Sequence, residues 1–182
     1  MKIEGEHRFE GLTLVQAWTL LTDPLILKRC MPGCEKLEPV ADGEFAVEIL
    51  AGVASVKGRY TGKIKLEDRI PPSHFKINID GKGAPGFMKG GGSFDLKEDL
   101  GDTKAIYSGD VQLGGPVAGV GQRMLHGVAK MMIGQLFTAL EVEATALKEA
   151  EKKTPHRETP KHGILRDLIR YLWKRRAGVV NK

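Results

Sequence analysis

The sequence predicts an α+β fold in which a curved antiparallel sheet of about seven strands wraps around one long C-terminal helix. Three observations carry this reading. Strand signals crowd Glu35–Leu113, separated by turn residues at Asp42-Gly43, Pro71-Pro72 and Leu100-Gly101-Asp102, and short strands at this spacing form a meander. Gly115–Leu147 is apolar at helical spacing through Val117, Val120, Met124, Val128, Met131, Met132, Leu136 and Leu140, with no proline after Pro116. One strand and two short helices precede the meander. The order strand, two helices, about six strands, long helix is that of a helix-grip arrangement, because a long antiparallel sheet must cover its apolar face and one helix laid across it does so.

The elements follow in order. Lys2–Phe9 alternates Ile3, Gly5, His7 and Phe9 with charged residues and reads as a strand. Thr13–Leu21 places Leu14, Trp18 and Leu21 at helical spacing, with Thr13 suited to the N-cap. Asp23-Pro24 ends that helix and Pro24–Arg29 forms a second short one. Pro32-Gly33 is a turn. Strands are expected at Glu35–Val40, Glu44–Ala54, Val56–Ile70, His74–Gly83, Gly86–Glu98 and Lys104–Leu113. Gly115–Leu147 is then one helix, with Pro116 in its first turn. It carries Gly119, Gly121, Gly127 and Gly134, each about 1 kcal/mol worse than alanine inside a helix. Such a helix needs close backbone approach or open space beside it. Its methionines suit an adaptable apolar surface, so the face reads either as core or as the wall of a cavity for a greasy ligand.

The chain has 182 residues and a net charge of +5. Residues from 152 onward hold ten of the 28 Lys and Arg but only two of the 23 Asp and Glu, so the tail is +8 and the body −3. The basic pI therefore belongs to the tail. The division expected is a ligand-binding domain at 1–150, a flexible linker at 151–162 and a basic amphipathic tail at 163–182. In the tail, Ile164, Leu165, Leu168, Ile169, Leu172 and Trp173 share one helical side, opposite Arg166, Asp167, Arg170 and Lys174. A basic amphipathic helix with Trp at one end suits an anionic membrane surface. Leu165, Arg166, Leu168, Ile169, Arg170, Leu172, Trp173, Lys174, Arg175 and Arg176 are the candidate membrane-binding residues; docking on a protein is the other reading. The tail's aromatics are embedded in its apolar side, so no nucleic-acid partner is expected. With no apolar leader run and no membrane-spanning stretch, the chain is expected to be cytoplasmic and peripheral on the inner face of the cell membrane.

No catalytic constellation is legible. His7, His74, His126, His156 and His162 have no metal-ligand spacing, and Cys30 and Cys34 in CMPGC lack a second ligand pair and read as structural thiols. Gly81, Gly83, Gly86, Gly90, Gly91 and Gly92 resemble a phosphate loop only in composition, since Lys89 precedes the triple glycine. They read as a flexible lip or bulge beside a cavity mouth, or as a structural kink.

Three segments together resemble the family of the G subunit of carbon monoxide dehydrogenase, within the START-like (SRPBCC) superfamily: LTDPLILKRCMPGCEKL at Leu21–Leu37, GKGAPGFMKGGGSFDL at Gly81–Leu96, and the start of the long helix with Gly121-Gln122-Arg123. The similarity extends over about residues 1–147. It implies a START-like helix-grip fold with an internal cavity, and a tie to molybdenum-containing carbon monoxide dehydrogenase or related hydroxylases without catalysis by this chain. The expected function is a non-enzymatic accessory that holds a hydrophobic ligand, a respiratory quinone or another isoprenoid lipid, and links the dehydrogenase to the membrane. A recruitment or maturation factor acting through protein contacts is the alternative, and a START-like enzyme a third. No metal and no resident cofactor are expected. Trp18, Phe87, Met88, Met124, Val128, Met131 and Phe137 are the candidate ligand-binding residues.

Overall fold

A computed structural model describes residues 1–53 and 56–153. The chain runs β1 (Lys2–Phe9), α1 (Leu14–Thr22), α2 (Pro24–Cys30), β2 (Cys34–Ala41), β3 (Glu44–Val53), β4 (Val56–Ile70), β5 (His74–Gly83), β6 (Gly86–Asp99), β7 (Asp102–Gly114), a 3₁₀ turn (Pro116–Val120) and α3 (Gln122–Lys153). The strands form one sheet in the order β1-β7-β6-β5-β4-β3-β2, with every pair antiparallel. The expected α+β helix-grip architecture is the one observed.

Local chemistry accounts for the element ends. Thr13 Oγ1 accepts the Gln16 N–H at 3.3 Å while Gln16 Oε1 accepts the Thr13 N–H at 3.0 Å. This reciprocal cap satisfies two backbone donors at the start of α1. Asp23 ends α1 and starts α2: its Oδ1 accepts the N–H groups of Leu25 at 2.8 Å and Ile26 at 3.3 Å, with Pro24 in the first turn. Each cap contributes about 1 kcal/mol.

Met1–Leu147 forms one compact unit. Along β1, Ile3, Gly5, His7 and Phe9 turn to the covered face, as the alternation requires. Phe9, Phe45, Val47, Ile64, Leu66, Phe75, Leu96 and Ala105 from the sheet meet Leu20 and Leu21 of α1 and Phe137, Leu140 and Ala144 of α3 in a single core. Phe9, Phe75, Leu20 and Leu140 are fully buried, each large side chain contributing about 1.5–3 kcal/mol. Arg29 on α2 pairs with Glu143 on α3.

The long helix departs from expectation. Gly115 and Gly121 have φ of +81° and +95°, a region that favours glycine, so the stretch breaks into a 3₁₀ turn and then α3. Val117 in that turn is buried, and its N–H donates to Pro85 O at 2.8 Å. Gly119 and Gly121 are therefore not interior helix positions. Gly127 and Gly134 are, and a Cβ at either would meet no atom within 4 Å. Open space, not close approach, surrounds them. Helix α3 is described through Lys153, past the boundary expected at 150. The remaining linker residues, the tail at 163–182 and all its candidate membrane-binding residues lie outside the described residues.

Candidate ligand site beneath helix α3

A row of aromatic rings lies on the covered face. His7 on β1 stacks on Phe137 of α3 with centroids 4.2 Å apart and planes at 12°. Phe137 meets Tyr107 of β7 at 5.6 Å, and Tyr107 meets Phe94 of β6 at 5.9 Å. Phe94 stacks on Phe75 of β5 at 4.9 Å, and Phe75 takes Trp18 of α1 edge-on at 5.5 Å. Sheet register builds the middle of the row: Phe75 is the direct partner of Phe94, and Phe94 of Tyr107. Cross-strand aromatic pairs sit at contact distance when they share a face. Trp18 of α1 closes one end, and Phe137 of α3 joins the row to His7 of β1 at the other.

Tyr107 lies opposite Gly5, and a Cβ at Gly5 would fall 2.4 Å from the Tyr107 hydroxyl oxygen. Glycine there makes room for the phenol. The hydroxyl makes no hydrogen bond among the described residues and faces a hollow of about 300 Å³ between β1, β7 and α3, bounded by Ile3, Glu4, Gly5, Glu6, Ile133, His126 and Lys130. A second, more open hollow of about 550 Å³ shares His126 and extends to Met1, Lys2, Gln122 and Arg123.

Burial shifts the titrating groups here. It pulls the His7 pKa below its ordinary value, against an upward pull from Glu141. His7 Nε2 stands 3.1 Å from Glu141 Oε1 without the alignment of a hydrogen bond. Burial also raises the Tyr107 phenol, and the thiols of Cys30 and Cys34, above their usual values. Cys34 Sγ donates to Lys36 O at 3.4 Å. Both cysteines are therefore neutral thiols at neutral pH. No group of metal-ligating side chains occurs among the described residues, and no described helix is long and apolar enough to cross a membrane.

The seven candidate ligand residues do not gather. Phe137 is 4 % exposed and stands in the aromatic row between His7 and Tyr107, and half-buried Trp18 closes its far end. Val128 and Met88 are half-buried. Phe87, Met124 and Met131 are 43, 49 and 54 % exposed. Met124 and Met131, seven residues apart, share the face of α3 opposite Leu125, Leu136 and Leu140, since the covered stripe follows the 3.6-residue period through the latter. Phe87 has the wrong parity on β6, and its ring lies against Gly114 outside the covered face. His7, Phe75, Phe94 and Tyr107 were not among the candidates. Counting strand register outward from the hairpin turns is the signal that would have found the last three.

The glycine-rich stretch is not a lip. Gly90, Gly91 and Gly92 lie within β6 in unbroken register with β7. A Cβ at Gly92 would come within 2.6 Å of Ser108 O, and one at Gly90 within 2.8 Å of Asp110 O. Close passage of neighbouring strands explains them.

The sheet order and the helix that crosses it define a START-like helix-grip fold. The sequence matches the CoxG family, that of the G subunit of carbon monoxide dehydrogenase, over residues 12–145, and the chain belongs to that family. Among solved structures, a conserved protein from Geobacillus kaustophilus is 35% identical with a TM-score of 0.77, covering 80% of this chain and 96% of its own. A START superfamily protein from Mycobacterium smegmatis is 13% identical with a TM-score of 0.62, over 80% of this chain and 98% of its own. The Zhui aromatase/cyclase from a Streptomyces species is 17% identical with a TM-score of 0.60, over 80% and 93%. The last two show the fold alone. No curated protein matches the sequence.

Proposed function

We propose that this protein is a non-enzymatic accessory of a molybdenum-containing carbon monoxide dehydrogenase, and that it holds a respiratory quinone between the sheet and α3. The observation that carries the reading is the row of rings from His7 to Trp18 beside a hollow into which Tyr107 presents a hydroxyl with no partner among the described residues. Flat aromatic faces favour an apolar ring, and a single polar donor fixes the orientation of a mostly apolar ligand. A ligand carbonyl accepting from Tyr107 satisfies that donor. The dehydrogenase delivers electrons to the respiratory chain, which makes a quinone the ligand of choice. The tail at 163–182 holds the protein peripherally on anionic lipid at the inner membrane face.

Native mass spectrometry of protein from its own host, with organic extraction of what it carries, tests this. A near-stoichiometric quinone or isoprenoid lipid is the expected result. An empty protein that arrives with dehydrogenase subunits refutes the carrier reading and favours recruitment or assembly.

A further inference from the structure

One end of the sheet is built differently from the other. At it lie the start of β4, the β5–β6 turn, the 3₁₀ turn and the start of α3. These pieces touch: a Cβ at Gly58 would fall 2.4 Å from Pro85 Cγ, Pro85 O accepts the Val117 N–H at 2.8 Å, and Phe87 lies against Gly114. Stretches 56–62, 81–89 and 111–126 contain no Asp or Glu. They do contain Lys57, Lys82 and Arg123, all exposed and none paired with a carboxylate among the described residues. Ala84 and Ala118 are exposed beside them, as is Phe87 at 43 %. The turns at the opposite end carry Asp42, Asp68, Asp99 and Asp102. The open hollow bounded by Met1, Lys2, Gln122, Arg123 and His126 lies at this end, where the bordering carboxylates Glu4, Asp80 and Asp110 are paired with Lys2, Lys89 and the N-terminal amine.

We propose that this end of the body docks on an anionic bilayer, with Phe87 entering the headgroup layer and Lys57, Lys82 and Arg123 lying on the phosphates. Unpaired cations without intervening carboxylates complement an anionic surface. A projecting apolar ring among small residues can enter the interface without a helix. The opening of the hollow then faces the membrane, so a lipid passes to the rings without crossing bulk water. This placement rests on the reading above only in taking the membrane as the source of the ligand. It concerns the body, not the tail.

The test uses the full chain with Cys34→Ser and Cys30 left buried. One environment-sensitive NBD probe is attached at Ala84→Cys or, as control, at Leu100→Cys at the opposite end, where Leu100 is 95 % exposed. Vesicles of phosphatidylcholine alone are compared with vesicles containing phosphatidylglycerol. The expected result is a blue-shifted, brightened probe at 84 with anionic vesicles only, and no change at 100. Each cation near the surface strengthens binding about fivefold, so K57Q/K82Q/R123Q lowers partition about a hundredfold. A silent probe at 84, an equal response at 100, or unchanged partition of the triple variant overturns the proposal, including in favour of an acidic protein as the partner of this end. A protein that floats with vesicles while the probe at 84 stays silent loses this inference and keeps the tail anchor and the carrier reading.

Discussion

Phe137→Leu separates a packing role from a ligand role. Phe137 is 4 % exposed and meets three rings, His7 at 4.2 Å, Phe9 at 5.8 Å and Tyr107 at 5.6 Å. Each pair is worth about 0.5–1.5 kcal/mol beyond its buried area, and leucine refills most of the volume, so the loss is about 3 kcal/mol. At about 2–4 °C per kcal/mol for a domain near this size, the melting temperature falls by about 6–12 °C. Leu140→Ala is the companion: Leu140 is fully buried on the same helix but belongs to no ring pair, and its truncation costs about 2–5 kcal/mol. Melting is followed by circular dichroism and quinone affinity by fluorescence quenching at a temperature where both variants are folded. Phe137→Leu should weaken quinone binding at least fivefold, with Leu140→Ala within twofold of the parent. Equal weakening in the two variants means that binding follows global stability, and the ring row then has no special part in it.

Tyr107→Phe deletes one neutral donor worth about 1 kcal/mol. It should weaken a benzoquinone about fivefold in titration, yet leave a headless isoprenoid such as squalene unaffected; equal effects on both remove the hydroxyl from the site. His7, with its pKa held below 6.5 by burial, adds nothing to the pH dependence of stability above that value, where it is neutral folded and unfolded. Below 6.5 the unfolded chain takes the proton first, so stability falls with acid until the folded pKa is passed. His7→Phe should flatten the denaturation midpoint through that window; the carboxylates with lowered pKa, Glu44, Asp68 and Asp110, act only below about 4.5. Gly134→Ala, with no atom within 4 Å of the new Cβ, should raise the melting temperature by about 2–4 °C. Gly92→Ala, 2.6 Å from Ser108 O, should lower it, and a reversed order would contradict the backbone geometry.

The elements were legible where short-range chemistry decides them. The bounds of β1, β4 and β5 match the alternation and turn pairs residue for residue, and the starts of α1 and α2 follow from Thr13 and Asp23-Pro24. The break before α3 was not legible, because Pro116 suits a first helical turn and only the backbone at Gly115 and Gly121 shows that the turn is not continued. The site was legible in part. Trp18 and Phe137 stand in the aromatic row, but a row drawn from β1, β5, β6, β7 and two helices exists only once register and crossing are fixed. The methionines misled for a specific reason. Helix α3 is apolar on two sides, with Leu125, Leu136 and Leu140 inward and Met124 and Met131 outward, so apolar spacing alone does not say which side meets the sheet.

Charge placement adds a constraint that composition conceals. The body through residue 151 is −3, so an anionic surface repels it as a whole. Its carboxylates are absent from the stretches that carry Lys57, Lys82 and Arg123, with Glu4, Asp80 and Asp110 near them paired with Lys2, Lys89 and the N-terminal amine, and are abundant in the turns at the other end. A particle with that distribution approaches an anionic membrane in one orientation, since the field aligns it before any contact forms. A +8 tail acting as proposed would supply attraction without direction, because attraction through a short segment fixes distance and not attitude. On this reading the tail brings the body to the surface and the body's own asymmetry turns the opening toward it. Raising salt to about 1 M shortens the screening length to about 3 Å, which should abolish the NBD response at residue 84 before apolar contacts of the tail release the protein.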